Sequence, residues 1–594
     1  MADPDRCPRV IGPRVIFISA LAIGVAFVPG IVARVLVSMI ALVTNAAFFW
    51  RYSTLPVAPA EHQLGWLVIF VPVLGGLIVG LMARFGSKAI RGHGIPEAME
   101  QVLTNESRIP PRLTLLKPLS AAIAIGTGGP FGAEGPIIAT GGALGSLVGQ
   151  LLKTSAAERK TLLAAGAAAG MAATFGSPVS AVLLAVELLL FEFRPRSIVP
   201  VALASATAAG VRMALVGSAP VFAMPQLEQP SGGALAFYIV LGGVIGVVAT
   251  AVTRAVYAVE DAFEKLPIHW MWWPAIGGLA VGGVGYVAPR TMGVGYDNIG
   301  QILSGSLTGK ALLVLFVLKF LSWSIALGSG TSGGTLAPLF TIGGGLGATL
   351  GALAALASPA LGIDSRVAGL VGMAAIFAGA SRALLASVVF AFETTLQPLG
   401  LLPLLGGCTA AFLVSCLLMR NTIMTEKIAR RGVRVPSEYA ADFLDQVRVA
   451  QFATKEVIAF AARDSLGHLR QWFESGAQGS QHHGFPVLDA SGRLLGVVTR
   501  HEIADPSAAA EIPVERLLKR PPAVVFEHRS LREAADLMVS LGVGRLPVVS
   551  RATPNQVIGM LTRSDLLAAH ARRLDENDQT LPRLKIPFVR IVRV

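Results

Sequence analysis

Residues 132–145 read GAEGPIIATGGALG, and residues 334–347 read GTLAPLFTIGGGLG. In both stretches a glycine loop leads to a proline that can occupy the first turn of a helix, and glycines follow at the same spacing. The two prolines, Pro136 and Pro338, lie 202 residues apart. Two such loops predict helix starts at equivalent places in a duplicated fold.

Further segments repeat at the same or nearly the same offset. The matching pairs are LKPLS (116–120) with LKFLS (318–322), GMAA (170–173) with GMAA (372–375), and, one residue out of register, GHG (92–94) with GVG (293–295). A constant offset through separate blocks is typical of two related halves, and glycine- or proline-broken segments at equivalent places point to a substrate site between them.

These observations predict the organisation of the chain. We expect an N-terminal segment with the first membrane helix (1–63), a first membrane repeat (64–215), a linker (216–231), a second membrane repeat (232–435), two tail domains (450–508 and 513–575) and a C-terminal tail (576–594).

The composition is that of a membrane protein. Of 594 residues, 53% are hydrophobic and 14% charged, whereas soluble domains carry about 25% charged residues. Apolar runs approaching the roughly 20 residues of a membrane-spanning helix recur in the first two thirds of the chain, and 65 glycines and 36 prolines indicate interrupted, closely packed helices. The sequence therefore predicts an all-α polytopic membrane domain of the transporter or channel kind.

The net charge of +13 is typical of cytoplasmic loops and a cytoplasmic tail, where Lys and Arg accumulate. We therefore expect a multi-pass protein of the cell membrane with both termini in the cytoplasm, and no nucleic-acid partner. Cys7, Cys408 and Cys416 have no metal-ligand spacing, so we expect no metal site.

Three loops that interrupt the apolar runs contain the residues that we expect to bind an anion. They are Gly92-His93-Gly94-Ile95-Pro96, Gly132-Ala133-Glu134-Gly135-Pro136 and Gly333-Gly334-Thr335-Leu336-Ala337-Pro338. Free backbone N–H groups at a helix start attract an anion without a full positive charge. Binding of this strength suits conduction. Lys117 and Lys319 either add positive potential along the path or snorkel from helix ends to the membrane surface.

Glu134 lies in a glycine loop between apolar runs, where a carboxylate is costly unless it has a function. As an anion itself, it can occupy an anion site at a helix start, and it can be displaced by substrate or neutralised by a proton. We therefore predict that Glu134 is both gate and proton acceptor. The alternative is a glutamate at the membrane surface that only stabilises a helix start.

The tail has the pattern of a soluble α/β domain present twice. FPVL followed by LLGVVTRHE (485–502) predicts two strands and a helix, and LPVV followed by VIGMLTRSD (546–565) repeats the pattern. The tail resembles a tandem pair of CBS domains. In such pairs a Thr-x-x-Asp element, here Thr562 and Asp565, can hold the ribose of an adenine nucleotide; alternatively, Thr562 caps the following helix. No cofactor is expected to be required.

The membrane region resembles the CLC family of chloride channels and proton-coupled chloride antiporters. The resemblance rests on GHGIP (92–96), GAEGP (132–136) and GGTLAP (333–338). It implies an inverted repeat, a homodimer with a separate pore in each subunit, and transport of chloride or a similar small anion. It also implies that Glu134 is the external gating glutamate and that backbone N–H groups of Thr335 and Leu336 hold the central anion.

Several positions depart from the family pattern. The replacements are His93 for a serine, Met424 for a tyrosine, Leu336 for a phenylalanine and Ala133 for a basic residue. Two side-chain hydroxyls that grip the anion in the family are thus absent, and His93 either supplies an imidazole N–H or faces away. The internal proton-handling glutamate of the antiporters aligns with Leu188. Proton-coupled antiport is the preferred interpretation, with a passive voltage- or pH-gated chloride channel as the alternative.

Two other classes of protein fit less well. A zinc protease would need the motif His-Glu-x-x-His, and HEIAD (501–505) lacks the second histidine, so we predict no enzyme. A regulatory protein in which the membrane part only anchors a nucleotide sensor would leave the repeat and the glycine loops unexplained. Absence of anion flux would favour that second class.

Overall fold

The chain forms two compact units, Met1–Tyr439 and Ala440–Val594. In this computed structural model the described residues are 12–152, 154–433, 435–436, 444, 447–550, 552–553 and 555–580. Regular structure in the described part of the first unit is helical, and the second unit is α/β, which confirms the predicted fold class. Cys7 and the end of the 576–594 tail lie outside the described residues.

The helices of the first unit vary widely in length, and several are short or interrupted. In chain order they are α1 (Pro13–Phe49), α2 (Phe70–Phe85), α3 (Ile95–Thr104), α4 (Leu113–Gly126), α5 (Glu134–Leu151), α6 (Ala156–Phe175), α7 (Pro178–Ala185), α8 (Pro195–Val216), α9 (Gly232–Glu264), α10 (Trp273–Val287), α11 (Tyr296–Leu303), α12 (Gly309–Gly328), α13 (Leu336–Ala357), α14 (Ser365–Ser381), α15 (Leu384–Thr395), α16 (Leu401–Leu418) and α17 (Glu426–Arg430). Within the described ranges, seven helical segments are long and apolar enough to cross a membrane, and shorter apolar helices lie among them.

The packing of α2 against α10 repeats itself across the two halves. A Cβ atom on Gly76 would lie 2.2 Å from the carbonyl oxygen of Pro274, and a Cβ atom on Gly278 would lie 2.4 Å from the carbonyl oxygen of Pro72. Both the glycines and the prolines are 202 positions apart. The two helices therefore approach through equivalent glycines that no larger residue could replace without displacement.

The first helix, α1, has a counterpart in the second half. It packs against α4, α5, α6 and α8, whereas α9 packs against α12, α13, α14 and α16, which are the equivalent helices. We therefore propose that the first half begins with α1, instead of at residue 64 as expected from the sequence. The sequence comparison did not match these two helices because long parts of both are apolar and none of the repeated segments lies in them.

The two halves meet at Gly132 and Gly334, which are equivalent in the repeat. The Gly334 N–H donates to the Gly132 carbonyl (2.8 Å) and the Gly132 N–H donates to the Gly334 carbonyl (3.2 Å), in an antiparallel bridge. Because equivalent residues pair in opposite directions, an approximate twofold rotation relates the halves, as an inverted repeat requires. Helices α5 and α13 both start within two residues of this bridge.

The second unit contains the same five-element arrangement twice. Its elements are β1 (Phe460–Ala461), α18 (Leu466–Glu474), β2 (Gly484–Leu488), β3 (Leu494–Thr499), α19 (Arg500–Ala504), β4 (Val525–Phe526), α20 (Leu531–Ser540), β5 (Arg545–Val549), β6 (Val557–Thr562) and α21 (Arg563–Thr580). In each copy the first strand pairs parallel with the second, and the second pairs antiparallel with the third. The predicted strand–strand–helix segments are present in both copies.

Candidate functional site

Glu134 is the first residue of α5 and is completely buried. Its carboxylate is folded back toward the bridge between the halves, since a Cβ atom on Gly132 would meet Oε2 at 1.7 Å and one on Gly334 would meet it at 2.8 Å. Only glycine at these two positions leaves room for the carboxylate. Oε2 has no hydrogen-bond partner, whereas Oε1 accepts a hydrogen bond from the Tyr296 hydroxyl at 2.9 Å.

Two helix starts converge on this carboxylate. The backbone N–H groups of Glu134 itself and of Ala337, in the first turn of α13, face it. Thr335, just before α13, is buried together with Leu336, and the Thr335 hydroxyl oxygen also lacks a partner. The structure thus surrounds a negatively charged group with backbone donors from both halves, which is the arrangement of an anion site.

The loop at 92–96 packs against the same place. Gly94 has φ 94° and α3 starts directly after it, and a Cβ atom on Gly135 would lie 1.9 Å from the His93 carbonyl oxygen. His93 is buried, and its Nδ1 has no hydrogen-bond partner. The loops of His93, Glu134 and Thr335, which are far apart in the sequence, are therefore in contact around one point.

Met424 lies in a buried turn before α17. Its backbone N–H donates to the Thr422 hydroxyl at 3.2 Å, and the neighbouring Ile423 carbonyl accepts from the Tyr257 hydroxyl at 2.9 Å. The Met424 thioether supplies no hydrogen-bond donor. Tyr257 thus fixes the turn that contains Met424 through its backbone.

Lys117 and Lys319 are both buried, so neither snorkels to the membrane surface. Lys117 Nζ donates to the carbonyls of Ile90 and Gly92, both at 2.8 Å. Lys319 Nζ makes the equivalent pair of bonds, to the carbonyls of Thr291 and Gly293 at 2.9 Å. Each lysine fastens the loop that leads to a short helix, and the positive charge of Lys319 acts on Glu134.

Tyr296 is a site residue that sequence reasoning missed. It begins α11 directly after Gly295, which has φ 77°, and its ring packs edge-on against Phe175 and Phe222 at centroid distances of 5.7 and 6.0 Å. A sequence signal for Tyr296 is the GVG segment (293–295), which corresponds to GHG (92–94) in the first half. In both halves the residue after the second glycine, Ile95 or Tyr296, starts a short helix.

A cavity of about 720 Å³ reaches the site from one side. Its lining residues include Ala133 of the 132–136 loop, Tyr296, Gly293, Gly295 and Arg290. This first cavity therefore lies beside the two residues that adjoin the Glu134 carboxylate, Ala133 in sequence and Tyr296 by its hydrogen bond.

The sequence of this chain matches the models of two known families. Residues 74–416 match the family model described as voltage gated chloride channel, and residues 449–507 and 514–572 each match the CBS domain model. The chain belongs to the voltage-gated chloride channel family. Because the matched segment contains all three glycine loops, the family and the site rest on the same part of the chain.

Relatives of this chloride channel family member include exchangers and channels. This chain is 32% identical over 359 residues to the H(+)/Cl(-) exchange transporter ClcA of Vibrio campbellii, and the match covers 59% of this chain and 76% of that protein. It is 31% identical over 369 residues to the chloride channel protein CLC-e of Arabidopsis thaliana, covering 58% of this chain and 51% of that one, so the chain spans about half the plant protein. A crystal structure of a slow cyanobacterial Cl-/H+ antiporter superposes with a TM-score of 0.63 at 23% identity, over 71% of this chain and 98% of that one.

The family member has a second cavity, also about 720 Å³, lined by Met99, Glu187, Leu188 and Arg382 among others. The Glu187 carboxylate accepts hydrogen bonds from the N–H groups of Leu385 (3.0 Å) and Ala386 (3.1 Å) at the start of α15. Leu188, at the position of the antiporters' internal glutamate, is apolar.

Glu393 is the counterpart of Glu187 in the second half. Its carboxylate accepts from the N–H groups of Val179 (3.0 Å) and Ser180 (2.8 Å) at the start of α7. Glu187, just after α7, therefore caps the start of α15, and Glu393, near the end of α15, caps the start of α7. Both acids accept from free N–H groups at a helix start, where a negative charge is favourable.

In the CBS pair, a cleft of about 450 Å³ is lined by His482, Arg545, Thr562 and Arg563, among others. Thr562 precedes α21, and both its N–H (2.7 Å) and its hydroxyl (2.8 Å) donate to Asp565 Oδ2. Asp565 thus accepts from the backbone N–H before the helix, which is one half of a capping box, and Thr562 also lies in the cleft wall.

Proposed function

We propose that this protein is a proton-coupled chloride antiporter of the cell membrane. The carrying observation is the Glu134 carboxylate, which is buried where α5 and α13 start and lies beside a cavity. Membership of the chloride channel family and similarity to a protein named as an H(+)/Cl(-) exchange transporter support this function. We further propose a homodimer with one pathway per subunit and both termini in the cytoplasm.

In the proposed cycle, Glu134 alternates with chloride at the site between the two halves. When the carboxylate is charged it takes the place of an anion, because the backbone N–H groups there favour negative charge. Chloride from the first cavity competes with the carboxylate for these N–H groups. A proton on the carboxylate removes its charge, so the N–H groups then bind it less strongly. One group thereby links anion movement to proton movement.

The proposed anion ligands are the groups that the loops present to this point. They are His93, Gly94, Ile95, Pro96, Gly132, Ala133, Gly135, Thr335, Leu336 and Met424, most of them through backbone atoms. Lys117 and Lys319 contribute positive charge along the path. The partnerless Nδ1 of buried His93 supports a donor role for its ring, since a buried polar atom normally has a partner.

A passive chloride channel is the second candidate, and Leu188 is the observation that favours it. A proton travelling between Glu134 and the second cavity meets Leu188 and Met99, which cannot carry it, so water in the cavity must. If such water does not connect to Glu134, chloride moves without proton exchange.

The two candidates differ in proton movement against a gradient. Purified protein in liposomes is given a chloride gradient while valinomycin and potassium clamp the voltage, and both fluxes are recorded. Antiport predicts that the chloride gradient drives protons uphill, and protein-free liposomes show neither flux. Robust chloride flux with no proton movement would establish the channel, and no flux of either ion would favour the nucleotide-sensor class.

We also propose that the CBS pair binds an adenine nucleotide in its cleft. Burial and the nearby guanidinium of Arg563 lower the pKa of Arg545, so a phosphate group beside both would relieve the repulsion between them. We expect ATP, ADP or AMP to bind to the full-length protein in calorimetry, and Asp565→Asn to weaken binding several-fold while Glu502→Gln does not. Equal binding by both variants would exclude Asp565 from the nucleotide contact.

A further inference from the structure

We propose that the Tyr296 hydroxyl is a side-chain donor of the transport site. It holds the Glu134 carboxylate when the gate is closed and donates to chloride when the carboxylate leaves. The proposal rests on the proposed function and adds a ligand to it. It is carried by the contact between Tyr296 and Glu134, two residues 162 positions apart.

The direction of this hydrogen bond is fixed by chemistry. A carboxylate only accepts hydrogen bonds, so the phenol O–H must donate to Oε1. Chloride is also purely an acceptor. The donor that fits the closed gate therefore fits the anion that replaces it, without any rearrangement of Tyr296.

The ring of Tyr296 is held in place. Phe175 and Phe222 contact it edge-on, and Phe175 in turn packs against Phe390 with 4.9 Å between centroids. At the same time the ring lines the first cavity beside Ala133. A rigid hydroxyl at the meeting point of cavity and gate suits a ligand better than a mobile one, because less conformational freedom is lost on binding.

Among the other side-chain donors near Glu134, Lys319 is engaged elsewhere, whereas the Thr335 hydroxyl and His93 Nδ1 have no hydrogen-bond partner. The ammonium of Lys319 acts on Glu134 through its charge, but its hydrogen bonds go to Thr291 and Gly293. Side-chain hydroxyls are absent at His93 and Met424. Tyr296 supplies a hydroxyl from another element, α11, and thus compensates in part for that loss.

The two roles predict opposite effects of Tyr296→Phe. With Glu134 present, removing the hydroxyl weakens the closed gate, so chloride turnover rises and the number of protons exchanged per chloride falls. In a Glu134→Ala background, where the gate is gone, removing it weakens chloride binding by roughly tenfold, the value of one hydrogen bond to a charged group.

The test combines coupled flux in liposomes with calorimetric chloride binding to purified full-length protein. Variants are Tyr296→Phe and Glu134→Ala/Tyr296→Phe, compared with Tyr238→Phe, which removes another buried hydroxyl whose bonds go to the backbone of Asp364. Weaker chloride binding in the double variant than in Glu134→Ala, with a lowered proton-to-chloride ratio in Tyr296→Phe alone, supports the proposal.

Chloride binding unchanged between Glu134→Ala and the double variant would overturn the ligand role. If the proton-to-chloride ratio changed as little in Tyr296→Phe as in Tyr238→Phe, Tyr296 would not hold the Glu134 carboxylate in the closed gate. Absence of chloride flux in the unsubstituted protein would instead contradict the proposed function, and the binding measurement would still decide whether Tyr296 contacts the anion.

Discussion

The two halves of the membrane unit share a backbone frame but differ in the side chains placed on it. Both have a lysine that fastens a glycine loop with two carbonyl bonds, and both start a helix at the central bridge. At equivalent positions, however, the first half has Glu134 where the second has Leu336, and Ile95 where the second has Tyr296.

This difference shows how a duplicated scaffold becomes asymmetric in function. The frame supplies backbone donors from both halves, which suffice to attract an anion. In the proposed gate, one acid of the first half accepts a hydrogen bond from one hydroxyl of the second.

The shared frame predicts equal losses from equivalent glycines, and this is the largest stability effect that we expect. Gly76→Ala and Gly278→Ala each push a Cβ atom against a backbone carbonyl and should lower the free energy of unfolding by about 3 kcal/mol, the upper range for overpacking. Thermal unfolding in detergent measures both. Gly283→Ala, with open space around its Cβ atom, is the matched control.

A marked loss for only one of the two glycines would break the comparison, because the approximate twofold relation would then not extend to the packing energies of α2 and α10.

Lys117 and Lys319 should have the same effect on stability but different effects on chloride flux. Lys117→Met and Lys319→Met each leave two buried carbonyls without their donor, at a cost of about 2 kcal/mol. We expect similar destabilisation by both, measured by thermal unfolding, but a larger fall in chloride flux for Lys319→Met, because a charge that acts on the Glu134 carboxylate also attracts the chloride that replaces it. Lys310→Met, on the exposed start of the same helix, should change neither quantity.

Equal flux in the two variants would mean that Lys319 has only the structural role of its counterpart.

The smallest expected effect concerns the reciprocal helix caps. Glu187→Gln and Glu393→Gln each retain one acceptor oxygen and should destabilise the protein by about 1 kcal/mol, as loss of a helix cap does. The proton-to-chloride ratio, measured in liposomes, should be the same in both. If only Glu187→Gln abolished proton exchange, Glu187 would carry protons from the second cavity, and the symmetry of the caps would conceal a functional difference.

Much of the frame was predictable because glycine positions record close contacts between backbones. The 202-residue offset follows from pairs such as Gly132 and Gly334, whose lack of a side chain is required by the central bridge. In each copy of the tail domain, the last two strands and the helix after them were predictable because their segments are repeated in the sequence, whereas the first strand and first helix of each copy were not predicted. The family followed from loops in which backbone and function depend on the same residues.

The GVG segment marks Tyr296 as the start of a helix, but the bond between Tyr296 and Glu134 was not predictable, because it depends on how α11 and α5 pack and no local pattern encodes that. The same is true of the carbonyl partners of Lys117 and Lys319. The relation of α1 to α9 was not predictable for a different reason. In apolar helices one apolar residue can replace another without loss of the fold, so the two helices need not retain any sequence similarity.

The most direct test of the central role of Glu134 compares coupled fluxes in the unsubstituted protein and in Glu134→Gln. Glutamine keeps the shape of the side chain but can neither carry the charge nor accept the proton. We predict that a chloride gradient drives protons uphill in the unsubstituted protein, whereas Glu134→Gln conducts chloride with no accompanying proton movement. Proton pumping that persists undiminished in Glu134→Gln would contradict the assignment of Glu134 as gate and proton acceptor.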